Sequence, residues 1–311
     1  MSLKKIITEV TGIEHSLPYF VARDEGFFFE EGIEIDLIKS KSKLLNKETK
    51  DFEVNPSLIS PFHTGGGQTF EDGNASLYRA CEWGQIKRSH DSTIDARVNF
   101  KRSNMSTQAI VVRADSPYNI PQDLADVRIG VNMHHGSHYV AIQSLEGFLE
   151  PHEINIVNAG SPEKRFRDLM DGRIDAIAIM EPWVTVAEKL NYKIIVEAHY
   201  AGLEVISSSI DYITVTSINR AISKAAKKLN DNPYPYLHYM IAEVPLDLII
   251  LKAEDFNRNR LRFVDPSPYS QKDFERSYRW MVKWGLIDKD STFNDLVDTR
   301  FDSTIYSAVE K

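Results

Sequence analysis

The 311-residue chain carries a single cysteine, Cys81. One thiol excludes an intrachain disulfide and a cysteine-based zinc finger, and it fits a reducing compartment. Long apolar runs are missing too. None approaches the ~20 residues that span a bilayer, so membrane insertion is not expected. Cationic excess is also absent: 37 Lys and Arg stand against 45 Asp and Glu, a formal charge of -8. Nucleic acid and anionic lipid both reward basic patches, and neither is expected as a partner. No apolar segment with a small-residue cleavage site precedes the first strand-like run, Lys4-Lys5-Ile6-Ile7. The cytosol is therefore the expected compartment. A periplasmic or membrane-anchored location, and with it a transporter partner, is expected only if a leader has been removed. A small-molecule ligand is the class of partner that remains.

Hydrophobic residues make up 42% and charged residues 26% of the chain, an ordinary globular composition long enough for two lobes. Residues 4–11 read as a strand, Pro18 to Glu25 as a helix ended by Gly26, and Ile33 to Ile38 as a strand with a period of two. That is a βαβ start. A polar, Lys-rich stretch over 39–52 and the short run Leu58-Ile59-Ser60 lead to a glycine cluster, after which Asn74 to Ile86 reads as a helix. Strands follow at 108–113 and Val127 to Val131, then a helix from His138 to Phe148. Ile154 to Val157 reads as a strand, Pro162 to Met170 as a helix, and Ile174 to Met180 as a strand stopped by Glu181-Pro182-Trp183.

Beyond residue 205 the pattern is a strand (Tyr212 to Thr216) and then helices, including the amphipathic segment 274–287. Those elements are too few in strands for a separate α/β domain. The expected arrangement is an α/β protein of two discontinuous lobes, 1–104 with 205–311 and 105–204. Crossovers near 103–107 and 202–208 join the lobes across a cleft lined by loops at the carboxyl ends of the strands.

Three motifs carry a resemblance: "LPYFVARDEGFFFEEGIEIDLI" (17–38), "PQDLADVRIGV" (121–131) and "GRIDAIAIMEPW" (172–183). In this order and spacing they resemble the nitrate/sulfonate/taurine solute-binding proteins and the related thiamine-pyrimidine synthase-like group. The resemblance implies a periplasmic-binding-protein type II fold, with a hinge and an interlobe cleft. Two enzymes share that scaffold. By resemblance to the thiamine-pyrimidine synthase, His63 falls where that enzyme has the histidine it consumes. The pyridoxal-phosphate lysine four residues earlier is Ile59 here, and the cysteine cluster falls near Ser207-Ser208-Ser209. Isoleucine forms no Schiff base. Against the aromatic sulfinate desulfinase, the nucleophilic cysteine is replaced by Ile13 or Glu14, and Cys81 is expected on a helix away from the cleft. The resemblance thus implies the pocket without the reactive groups, so no catalytic residue and no cofactor is assigned.

The candidate site residues come from loops. In "MHHGSHY" (133–139), His134, His135, Gly136 and Ser137 enter a helix whose unpaired N–H groups and dipole suit a carboxylate, sulfonate or phosphate. Ser137 as a simple cap, with solvated histidines, is the plain alternative. The spacing matches no metal-ligand motif, and no metal is expected. "HTGGG" (63–67) offers a second cradle in His63, Thr64, Gly65 and Gly66, or else a surface turn. His15 and Tyr19 lie in the first loop, and Glu181 and Trp183 follow a strand. An aromatic wall with one acidic group suits a ring or an amine, although Trp183 in the core is the even alternative. Asn104 and Met105 stand in the first crossover and Ser207 in the second. Trp280 and Trp284 read as core. The expected function is a binding protein that closes over a small anionic or heteroaromatic metabolite. An enzyme of the thiamine-precursor or C–S cleavage kind is the rival.

Overall fold

A computed structural model describes residues 3–39 and 66–301. The chain opens with β1 (Lys4–Val10), α1 (Ile13–Asp24), α2 (Phe27–Glu30) and β2 (Ile33–Lys39). Next come α3 (Gln68–Glu71), β3 (Leu77–Cys81), α4 (Glu82–Asp91) and the long β4 (Ala96–Val112). β5 (Ile129–Val131), α5 (Gly136–Leu145), β6 (Ile156–Asn158), α6 (Pro162–Met170), β7 (Ala176–Met180) and α7 (Trp183–Lys189) form the middle. The return is β8 (Lys193–Ser207), α8 (Tyr212–Asp231), α9 (His238–Ile241), β9 (Arg262–Phe263), β10 (Ser267–Pro268), α10 (Gln271–Lys283) and α11 (Phe293–Leu296).

All ten strands share one sheet, ordered β2-β1-β3-β8-β4-β7-β5-β6, with β9 and β10 pairing on β4. β2, β1 and β3 run parallel, as do β7, β5 and β6. Each trio is an α/β half-sheet, and the antiparallel β4–β8 ribbon welds the two together. The crossovers expected near 103–107 and 202–208 lie within β4 and at the end of β8. Their irregularity is a bulge: Lys101 pairs with Leu203 and Met105 with Ala201, so residues 102–104 face Gly202 alone. The extra residues are held from the other side, where Asn104 pairs with Phe263 of β9.

Two further elements differ from expectation. Residues 212–216, four of them β-branched, begin α8. Asp211 caps that helix by accepting from the Thr214 N–H at 2.8 Å, and Val215, Ile218, Ile222, Ala225 and Leu229 bury one helical face. The segment read as one helix from Asn74 to Ile86 is β3 followed without a break by α4. All five residues of β3 are buried because it lies between β1 and β8. Its Arg79 is held by Thr8, by Ser16 at 3.1 Å and by the Glu204 carboxylate at 3.1 Å.

Candidate functional site

Four helices begin around one cavity of about 140 Å³, and the N-cap residue of each, Gly12, Cys81, His135 and Ser161, lines it. α1 and α4 follow β1 and β3 of one half-sheet, while α5 and α6 follow β5 and β6 of the other. The cavity therefore sits at the carboxyl ends of strands from both halves, where open α/β sheets place ligands. Each helix start contributes partial positive charge and N–H groups that have no intrahelical acceptor.

Arg165, one turn into α6, supplies a full charge. It is 2% exposed and lines the cavity. One η nitrogen donates to the Gly160 carbonyl, and Nε has no acceptor among the described residues. Burial alone pushes the guanidinium down to about 9, with no carboxylate among the described residues to counter it. Among those residues the cavity lining includes no Asp, Glu, Phe, Tyr or Trp side chain. Two further buried polar atoms there, His15 Nδ1 and Gln108 Oε1, also lack partners among the described residues. Burial, and next the nearby Arg102 charge, hold the His15 pKa well below its ordinary value, so the ring is neutral, with Nε2 3.5 Å from the Tyr200 hydroxyl. Buried polar groups beside a cation that has no carboxylate partner among the described residues favour an anion over a neutral molecule.

The expected residues divide. His15, His135, Gly136 and Ser137 meet in this cavity. Gly136 is required there: an added Cβ would sit 2.6 Å from the Tyr200 hydroxyl oxygen. Ser137 is not the helix cap. Its hydroxyl accepts from the Asn132 N–H at 3.0 Å and so fixes the loop. His134 holds φ of +60° just before the cap, a conformation few non-glycine residues adopt, and its N–H faces His138 Nδ1 at 3.3 Å. His63, Thr64 and Gly65 lie outside the described residues. Gly66 is tied in through Arg88, whose Nε donates to its carbonyl at 3.0 Å. The neighbouring Gly67 starts α3 with φ of +89°, which makes that glycine a turn requirement.

Tyr19, Glu181, Trp183, Asn104, Met105 and Ser207 are not part of this lining. Tyr19 is 2% exposed, with its hydroxyl on Glu204 at 2.5 Å and its ring under the Arg79 guanidinium. Trp183 packs in the core, 5.5 Å from Phe166, the alternative given for it above. Glu181 accepts from Thr185 and faces Arg260. These placements remove the expected aromatic wall. Asn104 donates to the Glu14 carbonyl and, with Met105, lines only a void of about 10 Å³. Ser207 bonds Ser209 at the end of β8. Cys81 corrects the reading in the other direction, because it lines the cavity rather than standing away from it. Its sulfur accepts from the Gly84 N–H at 3.3 Å, and burial raises its thiol pKa, keeping the thiol protonated and weakly nucleophilic.

Sequence reasoning missed Arg165. It stands beside Phe166 and four residues before Leu169, on the buried face of a helix whose bounds were predicted. An arginine in an apolar stripe was the available signal. No group of three His, Cys, Asp or Glu side chains among the described residues is placed to hold a metal. No helix among them is long and apolar enough to cross a membrane.

No family model and no curated protein matches the chain by sequence. Solved structures do match along its length. The alkanesulfonate-binding protein SsuA from Xanthomonas axonopodis pv. citri, bound to MOPS, is 13% identical over 96% of this chain and 98% of that one, with a TM-score of 0.67. The Candida albicans CA3427 product, described as having the generic periplasmic binding protein fold, is 12% identical over 96% of both chains at 0.66. The desulfurization enzyme DSZB is 16% identical over 99% of both at 0.60. At these identities the likeness establishes the fold. The chain has the two-lobed periplasmic-binding-protein architecture that its motifs resemble.

Proposed function

We propose that the protein binds a compact, non-aromatic anion between two lobes. The observation that carries this reading is the convergence of four helix N-caps and of the Arg165 guanidinium, which no carboxylate among the described residues compensates, on one cavity. Helix N-termini and a desolvated guanidinium both favour a carboxylate, sulfonate or phosphate head over a neutral molecule or an amine. The likeness to a sulfonate-binding protein puts sulfonates first among these. Residues 1–104 with 205–311 form one lobe and 105–204 the other, with the β4–β8 bulge as the hinge.

Thermal-shift titration with methanesulfonate, acetate, nitrate and inorganic phosphate tests the reading, with uracil and ethylamine as neutral and cationic controls. At least one anion should raise Tm, and Arg165→Met should abolish the rise. A rise that survives in Arg165→Met, or no rise with any anion, would sink it.

One observation favours a second reading. Cys81 shares the cavity with Arg165, and a desulfurization enzyme has the same fold. Turnover of an aryl sulfinate that disappears in Cys81→Ser would replace binding by catalysis.

A further inference from the structure

We propose that Glu146, Trp280 and Trp284 form a clasp that holds the two lobes together over the cavity. The proposal rests on the lobe reading above. Glu146 is the C-cap of α5, the helix whose N-terminal residues Gly136 and Ser137 line the cavity. Its two carboxylate oxygens are taken by two indoles from α10. Trp280 Nε1 donates to Oε1 at 2.8 Å and Trp284 Nε1 to Oε2 at 2.8 Å, with Lys283 Nζ 3.6 Å from Oε2. Spacing of four residues places both indoles on one helical face.

α10 belongs to the opposite lobe. Ser277 donates to Glu82 at 2.5 Å, and Asp273 pairs with Lys101 at 2.5 Å. Glu82 is the first residue of α4 and follows Cys81, the cavity residue that caps it. The clasp therefore ties the far end of α5 to a helix anchored on the other bank. An aromatic path connects it to the cavity: Trp280 lies 6.1 Å from Trp83, and Trp83 lies 5.6 Å from Tyr200, whose hydroxyl abuts Gly136. Rotation of the lobes that moved α5 away from α4 would break both indole bonds. Three of the chain's four tryptophans lie on this path, so intrinsic fluorescence reads its state.

The test compares wild type, Glu146→Gln and Trp284→Phe, with far-UV circular dichroism confirming the fold of each. A glutamine keeps one acceptor and loses the other. Without ligand, both variants should show a larger radius of gyration by small-angle X-ray scattering. Glu146→Gln should also shift tryptophan emission to the red. For whichever of methanesulfonate, acetate or inorganic phosphate stabilises the wild type, each variant should bind about tenfold more weakly, because the closed, binding-competent fraction falls. An unchanged ligand-free radius in both variants overturns the clasp. Failure of every anion to bind wild type overturns the ligand reading instead, and leaves the ligand-free scattering to decide the clasp by itself.

Discussion

Arg88 Nη2 lies 3.2 Å from His135 Nε2, while the Nε of the same guanidinium donates to the Gly66 carbonyl. A guanidinium only donates, so His135 Nε2 accepts and the ring proton of the neutral imidazole sits on Nδ1. One buried side chain thus joins the glycine loop of one bank to the helix cap of the other. Arg88→Met should lower stability by about 1–3 kcal/mol, by taking this donor from a buried carbonyl and a half-buried imidazole. Urea denaturation measures the loss. Nitrogen-15 shifts of His135 should report the Nδ1–H tautomer in the wild type.

Arg165 predicts a trade of the opposite sign. Its charge is buried without a carboxylate among the described residues, so Arg165→Met should stabilise the ligand-free protein by about 1–3 kcal/mol. The anion-induced rise in Tm should vanish in the same variant. A destabilised variant would show that the arginine serves the core instead.

Glu14 sets a pH dependence. Burial, opposed in part by Arg102, raises its pKa from 4.5 to about 8. The folded state therefore holds the proton more tightly than the unfolded chain does. Its contribution is complete below pH 4.5 and is lost as pH rises toward 8, by a few kcal/mol at about 1.4 kcal/mol per pKa unit. Glu14→Gln keeps the acceptor that receives the Thr107 N–H at 3.1 Å and removes the titration. Tm of the variant relative to wild type should climb between pH 4.5 and 8, and parallel curves across that window would refute the assignment.

Gly202 stands alone against the three bulged residues of β4. An added methyl would overlap the Arg102 guanidinium and approach the Ala80 carbonyl to 2.6 Å. Gly202→Ala should cost about 1–3 kcal/mol by overpacking, measured by chemical denaturation, and a neutral result would mean that Arg102 has another place to go.

Legibility followed period and capping. α6 was readable to its bounds because Ser161 and Pro162 announce its start, and β1, β2 and β7 were readable from apolar runs between turns. The start of α8 reads as a strand because four β-branched residues, 213–216, outweigh the longer helical period behind Asp211. β3 was absorbed into a helix because a strand buried on both faces shows no alternation and this one carries a buried arginine. The helix-start residues His135, Gly136 and Ser137 could be found because a loop entering a helix has local chemistry. Arg165 and Cys81 could not, since their value depends on which strands lie side by side. Tyr19 and Trp183 were overvalued for the same reason: an aromatic near a loop says nothing about which way it turns.

The β4–β8 ribbon resumes its pairing on both sides of the bulge at 102–104, and this bears on how the halves would part. Its ladder is kept at both ends of the excursion, so the lobe opening proposed above would flex residues 102–104 rather than melt a connection. Amide protons of Arg102, Ser103 and Asn104 then become the timepiece of the motion, exchanging at the rate of opening while their neighbours on either side stay protected.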